Sequence, residues 1–395
     1  MSTRRRMLLA GGSHSDIPMI KAARALGYHV TTSGNRPADL GHAYADAVRL
    51  ADFSDRDAIL RLAQELGVDA ICASCNDFSA LSCAWAAEQL GLPGHDSYDV
   101  ARILHHKDLY RAFASENRIP TPRAHSCTNV EEAVGASAHL RWPLIVKPVD
   151  LTGGKGISVA RDEAGLRAAA AAALAMTRAG RIVVEEFLEG SRHGFSCLIR
   201  RGAVVFHFED NEHYFLNPYM VSAASTPADL PASAATELIA LTERIAARLQ
   251  LVDGLVHIQF IQTADGPVII EICRRPPGDL YVDLVRHATG VDYPRLIVQA
   301  ACGSGLERVT PTPVQGHFVR HCVMSRRSGT VANLHISPVV QDRIIDQTMW
   351  WKPGDKIEDV MTQKLGVLFL RFADADEFRD LGSRLQELVH PEFSD

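Results

Sequence analysis

An apolar run that ends in a lysine and opens into three closely spaced glycines constrains this chain more than any other feature. Residues 144–158 read LIVKPVDLTGGKGIS: a short apolar strand carrying Lys147, then Thr152, Gly153, Gly154, Lys155 and Gly156. Glycine reaches left-handed backbone conformations without steric cost, and amide groups without side chains can approach an oxygen closely. A fixed cation beside such backbone suits a polyphosphate and implies a bound nucleotide. Taken alone, the glycines read equally well as a hairpin turn between solvated lysines. The four-residue glycine gap and the Lys-Ser/Thr ending of a Walker A loop are both missing, which excludes that route to a phosphate site.

With 395 residues, 47% of them apolar, the chain has material for two to four compact units. Lys+Arg of 41 against Asp+Glu of 47 gives a net charge of −6, so no broad basic surface awaits nucleic acid or anionic lipid. Any anion site must be local. Arg4, Arg5 and Arg6 precede an apolar run that stops at Gly11-Gly12, too short for a signal-peptide core. No stretch approaches the roughly eighteen apolar residues of a membrane span, and the expected compartment is the cytoplasm. The eight cysteines lie mostly in apolar segments, as reduced thiols do. Cys72 and Cys75 form a C-x-x-C without a second pair, so neither zinc nor redox chemistry is expected there.

The first hundred residues alternate strand signals (7–10, 28–32, 48–50, 69–73) with helix signals (16–26, 55–66), the pattern of a doubly wound parallel sheet. Ligands of such sheets lie beyond the carboxyl ends of the strands, which brings His14, Asn76 and Asp77 forward as substrate contacts. A tight turn and helix N-caps account for the same residues. The dinucleotide fingerprint G-x-G-x-x-G is absent, which excludes a nicotinamide site. Pro120-Thr-Pro122 marks a boundary. A small α/β unit follows: a helix over 130–139, the strand 144–146, the glycine hairpin and an alanine-rich helix. From 181 a larger unit carries strands at 194–199, 203–208, 257–261 and 268–272 and a helix over 231–249. Beyond 311, strands at 316–324 and 366–372 read as a separate terminal lobe.

Laid out in order, Lys107, Lys147, the 152–158 hairpin, Glu185-Glu186-Phe187-Leu188 and the stretch HIQFIQTADGPVIIEICRRPPGD (257–279) resemble the ATP-grasp superfamily. The nearest look is to its carboxylate–amine ligases, which include biotin carboxylase, purine-pathway ligases and L-amino-acid ligases. The resemblance implies an α/β and α+β multidomain chain: a doubly wound domain (1–115), a small grasp subdomain (116–184), a large one (185–310) and a C-terminal α+β lobe (311–395). ATP would lie between the subdomains with Lys107, Lys147 and the hairpin on its phosphates. Residues 183–188 would be the hinge, with backbone on the adenine edge and a carboxylate on the ribose, and His193 of Ser-Arg-His-Gly a further nucleotide contact. Gln259 and Glu271 are 12 residues apart (271 − 259), the family's spacing for two magnesium-binding acids. Glu271 is the implied principal ligand of Mg²⁺, or of Mn²⁺ in its place. Gln259 departs from the pattern by a full charge, and Cys273 stands where the family has Asn. The acidic run 209–212 reads as a solvated loop, with Asp210 or Glu212 as a reserve source of the missing charge. Arg275 matches the arginine that holds the transferring phosphoryl group, and Arg274 adds a second charge.

The implied activity is ATP-dependent activation of a carboxylate as an acyl-phosphate and its capture by an amine, releasing ADP and phosphate, with amino acids or peptides among the substrates. Such a reaction needs positioning and charge neutralisation more than a side-chain nucleophile, and no Ser-His-Asp or Cys-His arrangement stands out. Partners would be small-molecule acid and amine, with no nucleic acid or membrane, and the chain a homodimer. His14, Asn76, Asp77 and Arg320 are the pocket candidates. Two alternatives stand beside this: an ATP-binding protein without turnover, suggested by Gln259 and Cys273, and a carboxylase-like enzyme using bicarbonate.

Overall fold

Buried apolar strands seed the N-terminal unit: Met7, Leu8, Leu9 and Ala10 are fully buried in β1 (Arg6–Ala10). Around it stand β2 (His29–Thr32), β3 (Ala47–Val48) and β4 (Ala70–Ala73), all parallel in the order β3-β2-β1-β4. Helices α1 (Ile17–Ala25) and α2 (Arg56–Leu66) connect them and α3 (Asp77–Leu90) follows β4, and Asp55 and Asn76 cap α2 and α3 by accepting from the first-turn amides. The computed structural model describes residues 4–306, 309 and 313–394. The boundary expected between 310 and 311 lies outside the described residues.

After α4 (Tyr98–His105) and α5 (Lys107–Glu116) comes a second, four-stranded sheet. It comprises β5 (Ala124–Cys127), β6 (Leu144–Pro148), β7 (Ser158–Ala160) and β8 (Ile182–Glu186), antiparallel in the order β5-β8-β6-β7. Helices α6 (Val130–Ser137) and α7 (Glu163–Met176) cover it through Ala133, Leu166, Ala170 and Ala173.

The large sheet starts with β9 (Ser191–Arg200), β10 (Ala203–Tyr214), β11 (Val221–Thr226), β12 (Gly254–Thr263) and β13 (Gly266–Cys273). It goes on with β14 (His317–Val323), after which come β15 (Gly329–Ile336), β16 (Ile344–Met349), β17 (Lys356–Ile357), β18 (Gly366–Phe372) and β19 (Val389–Phe393). Its order is β13-β12-β9-β10-β11-β14-β18-β16, while β17-β15-β19 form a small sheet of their own. Three strands of the expected terminal lobe thus extend the large sheet instead of standing apart. The acidic run 209–212 is likewise no loop: β10 continues through it, paired to β9 on one side and β11 on the other.

Period-two alternation gives this sheet two unlike faces. Phe195, Cys197, Ile199, Val256, Ile258 and Phe260 pack under α8 (Ala234–Leu249), on Leu238, Leu241 and Ile245. Along the opposite face each strand passes from apolar to polar: Leu198, Ser196, Gly194 on β9; Phe206, Phe208, Asp210, Glu212 on β10; Leu255, His257, Gln259 on β12. The apolar end lies under α9 (Tyr281–Thr289) and α10 (Tyr293–Ala301), which join it to the N-terminal unit. The polar end forms the floor of a cleft.

His321 on β14 is buried with a ring nitrogen unpartnered. Burial, reinforced by the charge of Arg320, pulls its pKa from 6.5 down to about 3. The unfolded chain therefore takes up a proton that the folded chain refuses. Stability is whole above the unfolded pKa and falls as pH drops below it toward the folded one, by up to roughly 1.4 kcal/mol per pH unit. Urea unfolding at pH 7.5 and 5.5 should show His321→Gln losing roughly 1 kcal/mol less than wild type across that interval. Equal losses would contradict the neutral buried imidazole.

Candidate functional site

Between the four-stranded sheet and the polar end of the large one runs a cleft of two chambers, about 680 and 1120 Å³. Both are lined by Lys107, Ile157, Tyr219, Gln259 and Glu271, so they are continuous. The first chamber reaches back to Lys147 and to residues 185–188; the second opens toward the N-terminal unit.

Lys147 is presented by β6, every residue of which is buried. Its Nζ donates to Glu185 Oε2 at 2.6 Å across the β6–β8 pairing, and Arg111 Nε donates to Glu185 Oε1 at 2.8 Å. Arg111 also donates to the carbonyl of Ile270 at 2.6 Å, which fixes β13 against the smaller sheet. Burial alone would raise the Glu185 carboxyl, but Arg111 and Lys147 overturn that and hold it at about 2. Burial lowers Lys147 from the ordinary lysine value while Glu185 pulls it back up. Lys107 opens α5 and donates to the carbonyl of Leu151 at 2.9 Å.

At the hinge, Glu186 accepts from Arg141 Nε and Nη2 at 3.0 and 2.9 Å, with Arg123 3.3 Å away. Both carboxylates of the acidic pair are therefore engaged by protein cations, and neither is left over for a ribose. Backbone remains: among the described residues the amide of Leu188 meets no protein acceptor. Phe187 and Leu188 line the first chamber beside Arg192, whose guanidinium lies 4.6 Å over the Tyr214 ring. His193 points elsewhere. It stacks on Phe260, bonds Ser191 Oγ at 2.7 Å and lines neither chamber, because its side chain falls on the α8 face.

The floor is read from strand register. Gln259 sits opposite Glu271 on one side and Gly194 on the other, and Gly194 opposite Asp210. A methyl group at 194 would stand 2.4 Å from Asp210 Oδ1, so glycine is required there. Gln259 Nε2 donates to Glu212 Oε1 at 2.5 Å, and the Tyr214 hydroxyl to Glu212 Oε2 at 2.6 Å. Glu212 thereby fixes the amide and leaves Gln259 Oε1 as its free oxygen. Burial raises the Glu212 carboxyl, with those two bonds opposing. Asp210 accepts from the Tyr281 hydroxyl at 2.5 Å, and burial followed by the charge of Glu212 pushes its pKa up to about 7. Burial and Arg275 take His257 down to about 3, and burial takes the Cys273 thiol up to about 12. Cys273 is thus a neutral thiol, donating to the carbonyl of Arg275.

Arg275 reaches the second chamber while bound in two-pronged fashion to Asp77, at 2.9 and 3.2 Å, and Asp77 also meets His105 at 2.8 Å. Burial would raise Asp77, but Arg275 and His105 hold it well below the usual carboxylate range. Arg274 faces the other way. Its guanidinium donates to Asp96 at 2.7 Å and to the carbonyls of Leu255 and Val252 at 2.6 Å each, outside both chambers. The chain bends directly after β13 ends at Cys273, and the two guanidiniums leave that bend toward different partners, so they do not share a site.

Thr152, Gly153 and Gly154 line the second chamber, whereas Lys155 and Gly156 line neither. Gly154 has φ +73, and a Cβ there would lie 2.8 Å from Tyr219, so only glycine fits. Asn76 is the cap of α3, and His14 stacks on Trp350 at 4.0 Å behind Asp279. Of the four pocket candidates, only Arg320 lines the chamber itself. Glu212, one of the two reserve acids, lines the second chamber, whereas Asp279, Lys364, Tyr281 and Arg192 were not singled out by motif.

A family model described as "Phosphoribosylglycinamide synthetase, ATP-grasp (A) domain" matches residues 105–214. The computed fold is similar to the phosphoribosylglycinamide synthetase of Anaerococcus prevotii, with a TM-score of 0.79 and 19% identity over 99% of this chain and 100% of that one. Residues 105–214 thus match an ATP-grasp domain, and the chain has the ATP-grasp fold. The L-amino acid ligase of Bacillus licheniformis superposes with a TM-score of 0.81 at 18% identity over 100% of both chains. The biotin carboxylase domain of the Hydrogenobacter thermophilus 2-oxoglutarate carboxylase, solved with MgADP, ADP and bicarbonate, gives 0.79 at 18% over 99% and 91%. Among curated sequences, the formate-dependent phosphoribosylglycinamide formyltransferase of Prochlorococcus marinus (strain MIT 9303) is 29% identical over 185 residues, 46% of this chain and 47% of the relative. The phosphoribosylamine–glycine ligase of Streptomyces coelicolor is 29% identical over 186 residues, 47% and 43%. The chain spans about half the length of the curated relatives it matches.

For the divalent cation that ATP-grasp proteins employ, the donors are few but suitable. Among the described residues no group of three or more His, Cys, Asp and Glu is arranged around a metal. Glu271 and Gln259 Oε1 nonetheless offer two hard oxygens face to face, and Mg²⁺ takes its remaining ligands readily from phosphate and water.

Gln259→Glu should set two carboxylates against each other and destabilise the fold by about 1–3 kcal/mol, whereas Gln259→Glu with Glu212→Gln should recover wild-type stability. A stabilising single substitution would contradict the pairing. Arg274→Ala should cost about 3–5 kcal/mol by stranding Asp96, while nucleotide affinity in calorimetry stays within about threefold of wild type. A loss of nucleotide affinity without a stability loss would return Arg274 to the site.

Proposed function

We propose that this ATP-grasp protein is a ligase that uses ATP to activate a carboxylate as an acyl-phosphate and joins it to an amine, releasing ADP and phosphate. The observation that carries this reading is the meeting of Glu271, Gln259 Oε1, Lys107, Lys147 and Arg275 around one continuous cleft. The relatives, ligases and a formyltransferase among them, support the same class. In this reading residues 1–115 and the C-terminal strands wall the substrate chamber, and 116–184 and 185–310 close on the nucleotide.

The backbone of 186–188 receives the adenine edge, and Lys147 with Lys107 faces the phosphates. Glu271 and Gln259 Oε1 would hold a Mg²⁺ ion, which would supply neutralisation of phosphate charge. Arg275, kept in place by Asp77, directs its remaining N–H groups at the phosphoryl group in transit. Glu212 positions Gln259 and keeps a negative charge beside the metal site, which favours an adapted site over a decayed one.

Release of ADP and phosphate, measured across carboxylates with amines and with bicarbonate, should appear only when acid and amine are both present. Bicarbonate-dependent release alone would move the protein to the carboxylase-like class, and tight ATP binding without release would make it a binding protein. Lys147→Met should raise the Kd for ATP at least about tenfold, roughly 1.4 kcal/mol. Arg275→Ala should lower kcat by about 10²–10³ with little change in that Kd. An unchanged kcat would remove the arginine from the reaction.

A further inference from the structure

The second chamber contains one buried cation whose hydrogen-bonding edge is incomplete. Arg320, only 3% exposed, donates through Nη1 to the carbonyl of Asp279 at 3.2 Å and the thiol of Cys322 at 3.6 Å, while its Nε–H meets no acceptor. Leaving a buried donor unpaired costs about 1–3 kcal/mol. That Nε is sealed from solvent, but Nη2 is not and likewise meets no acceptor among the described residues; Arg320 lines the chamber, so an anion entering it can bond this end of the guanidinium.

The strand register says what lies around it. Glu212 pairs with Ala224 and Ala224 with Arg320, so the three form one row across β10, β11 and β14. Neighbouring strands are about 4.8 Å apart, which puts the ends of the row roughly 10 Å apart at Cα. The methyl group of Ala224 leaves the middle of the row open as chamber floor. Asp210, 1% exposed and held through Oδ1 by Tyr281, stands on the same face and feels the charge of Arg320. A ligand over Ala224 therefore meets a cation on one side and carboxylates on the other.

The end of this chamber beside the N-terminal unit, away from Lys107 and the glycine hairpin, is poorly suited to a phosphate monoester. The loop before α1 is closed by its own carboxylate: Asp16 accepts from the amide and hydroxyl of Ser13 at 2.8 and 2.9 Å and from the amide of Cys75 at 3.1 Å. Lys364 pairs with Asp279, which also faces Arg320 at 3.5 Å. A dianion placed at this end would have to displace carboxylates that already hold these donors.

We propose that the second chamber takes an unphosphorylated zwitterion of the α-amino-acid type, its carboxylate completing Arg320 and its ammonium facing Asp210. The proposal rests on the ligase reading above for the chamber's role, but its ligand chemistry is tested separately. Phosphoribosyl compounds, which appear in the relatives' names, are excluded by it.

Calorimetry on the full chain, with a non-hydrolysable ATP analogue and Mg²⁺ present, would compare the proteinogenic L-amino acids with three probes. These are the matched amines lacking the carboxylate, the matched acids lacking the amine, and ribose 5-phosphate. At least one amino acid should bind, with its matched amine and matched acid each roughly 10- to 100-fold weaker. Arg320→Met should erase the preference over the amine, and Asp210→Asn the preference over the acid. Since the wild-type comparison needs no variant, failure of either substitution to fold leaves the test intact. Equal binding of amine and amino acid, tighter binding of ribose 5-phosphate, or no amino-acid binding at all would overturn the proposal. ADP release with a pair containing no amino acid, together with that last result, would leave the ligase reading standing. Amino-acid binding without ADP release from any pair would do the reverse.

Discussion

The cleft depends on a buried carboxylate with two cations. Glu185 binds Lys147 from the neighbouring strand and Arg111 from α5, and Arg111 continues to the carbonyl of Ile270 on β13. One side chain thus ties the smaller sheet, the helix and the larger sheet at the back of the first chamber. Removing one member of such a group strands the others in a low-dielectric interior, at about 3–5 kcal/mol. Its consequence for the site is geometric. It sets the distance between Lys147 on one wall and Glu271, the residue after Ile270, on the other.

The second organising fact is the change of character along one face of the large sheet. The same face that buries Phe206, Phe208 and Leu255 under helices carries Asp210, Glu212 and Gln259 a few residues on. A rigid packed half thereby fixes a polar half, which is how strands position charged groups more precisely than loops do. Ala224 is the small residue that leaves space above this floor, and Gly194 makes room for the Asp210 carboxylate. Moving the acid from 259 to 212, one face but two strands away, keeps a negative charge beside Glu271 while a neutral amide faces the cleft.

Much of this was legible in sequence because it is local. The strand that delivers Lys147, the glycine turn after it and the twelve-residue spacing of Gln259 and Glu271 are each set by contiguous residues and by period-two alternation. The parallel N-terminal sheet was legible for the same reason. What escaped depends on pairing between distant segments. Residues 209–212 looked like a solvated loop because acidic residues disfavour strands, yet β9 and β11 hold them in the sheet from both sides. Lys364 and Asp279, 85 residues apart, meet only once β18 has joined β14. The assignment of both Arg274 and Arg275 to the cleft could not foresee the bend after Cys273, which sends Arg274 to Asp96 and Arg275 to Asp77, partners nearly two hundred residues upstream. The hinge carboxylates seemed free for a ribose because Arg111, Arg123 and Arg141, their partners, lie far upstream.

The central claim is that a triphosphate lies between Lys147 and Glu271. A crystal structure of the protein with a non-hydrolysable ATP analogue and Mg²⁺ tests it most directly. The account predicts adenine against the backbone of 186–188 and a metal bridging Glu271 to the β- and γ-phosphate oxygens. Phosphates lying away from Glu271, or a nucleotide bound outside the cleft, would contradict it.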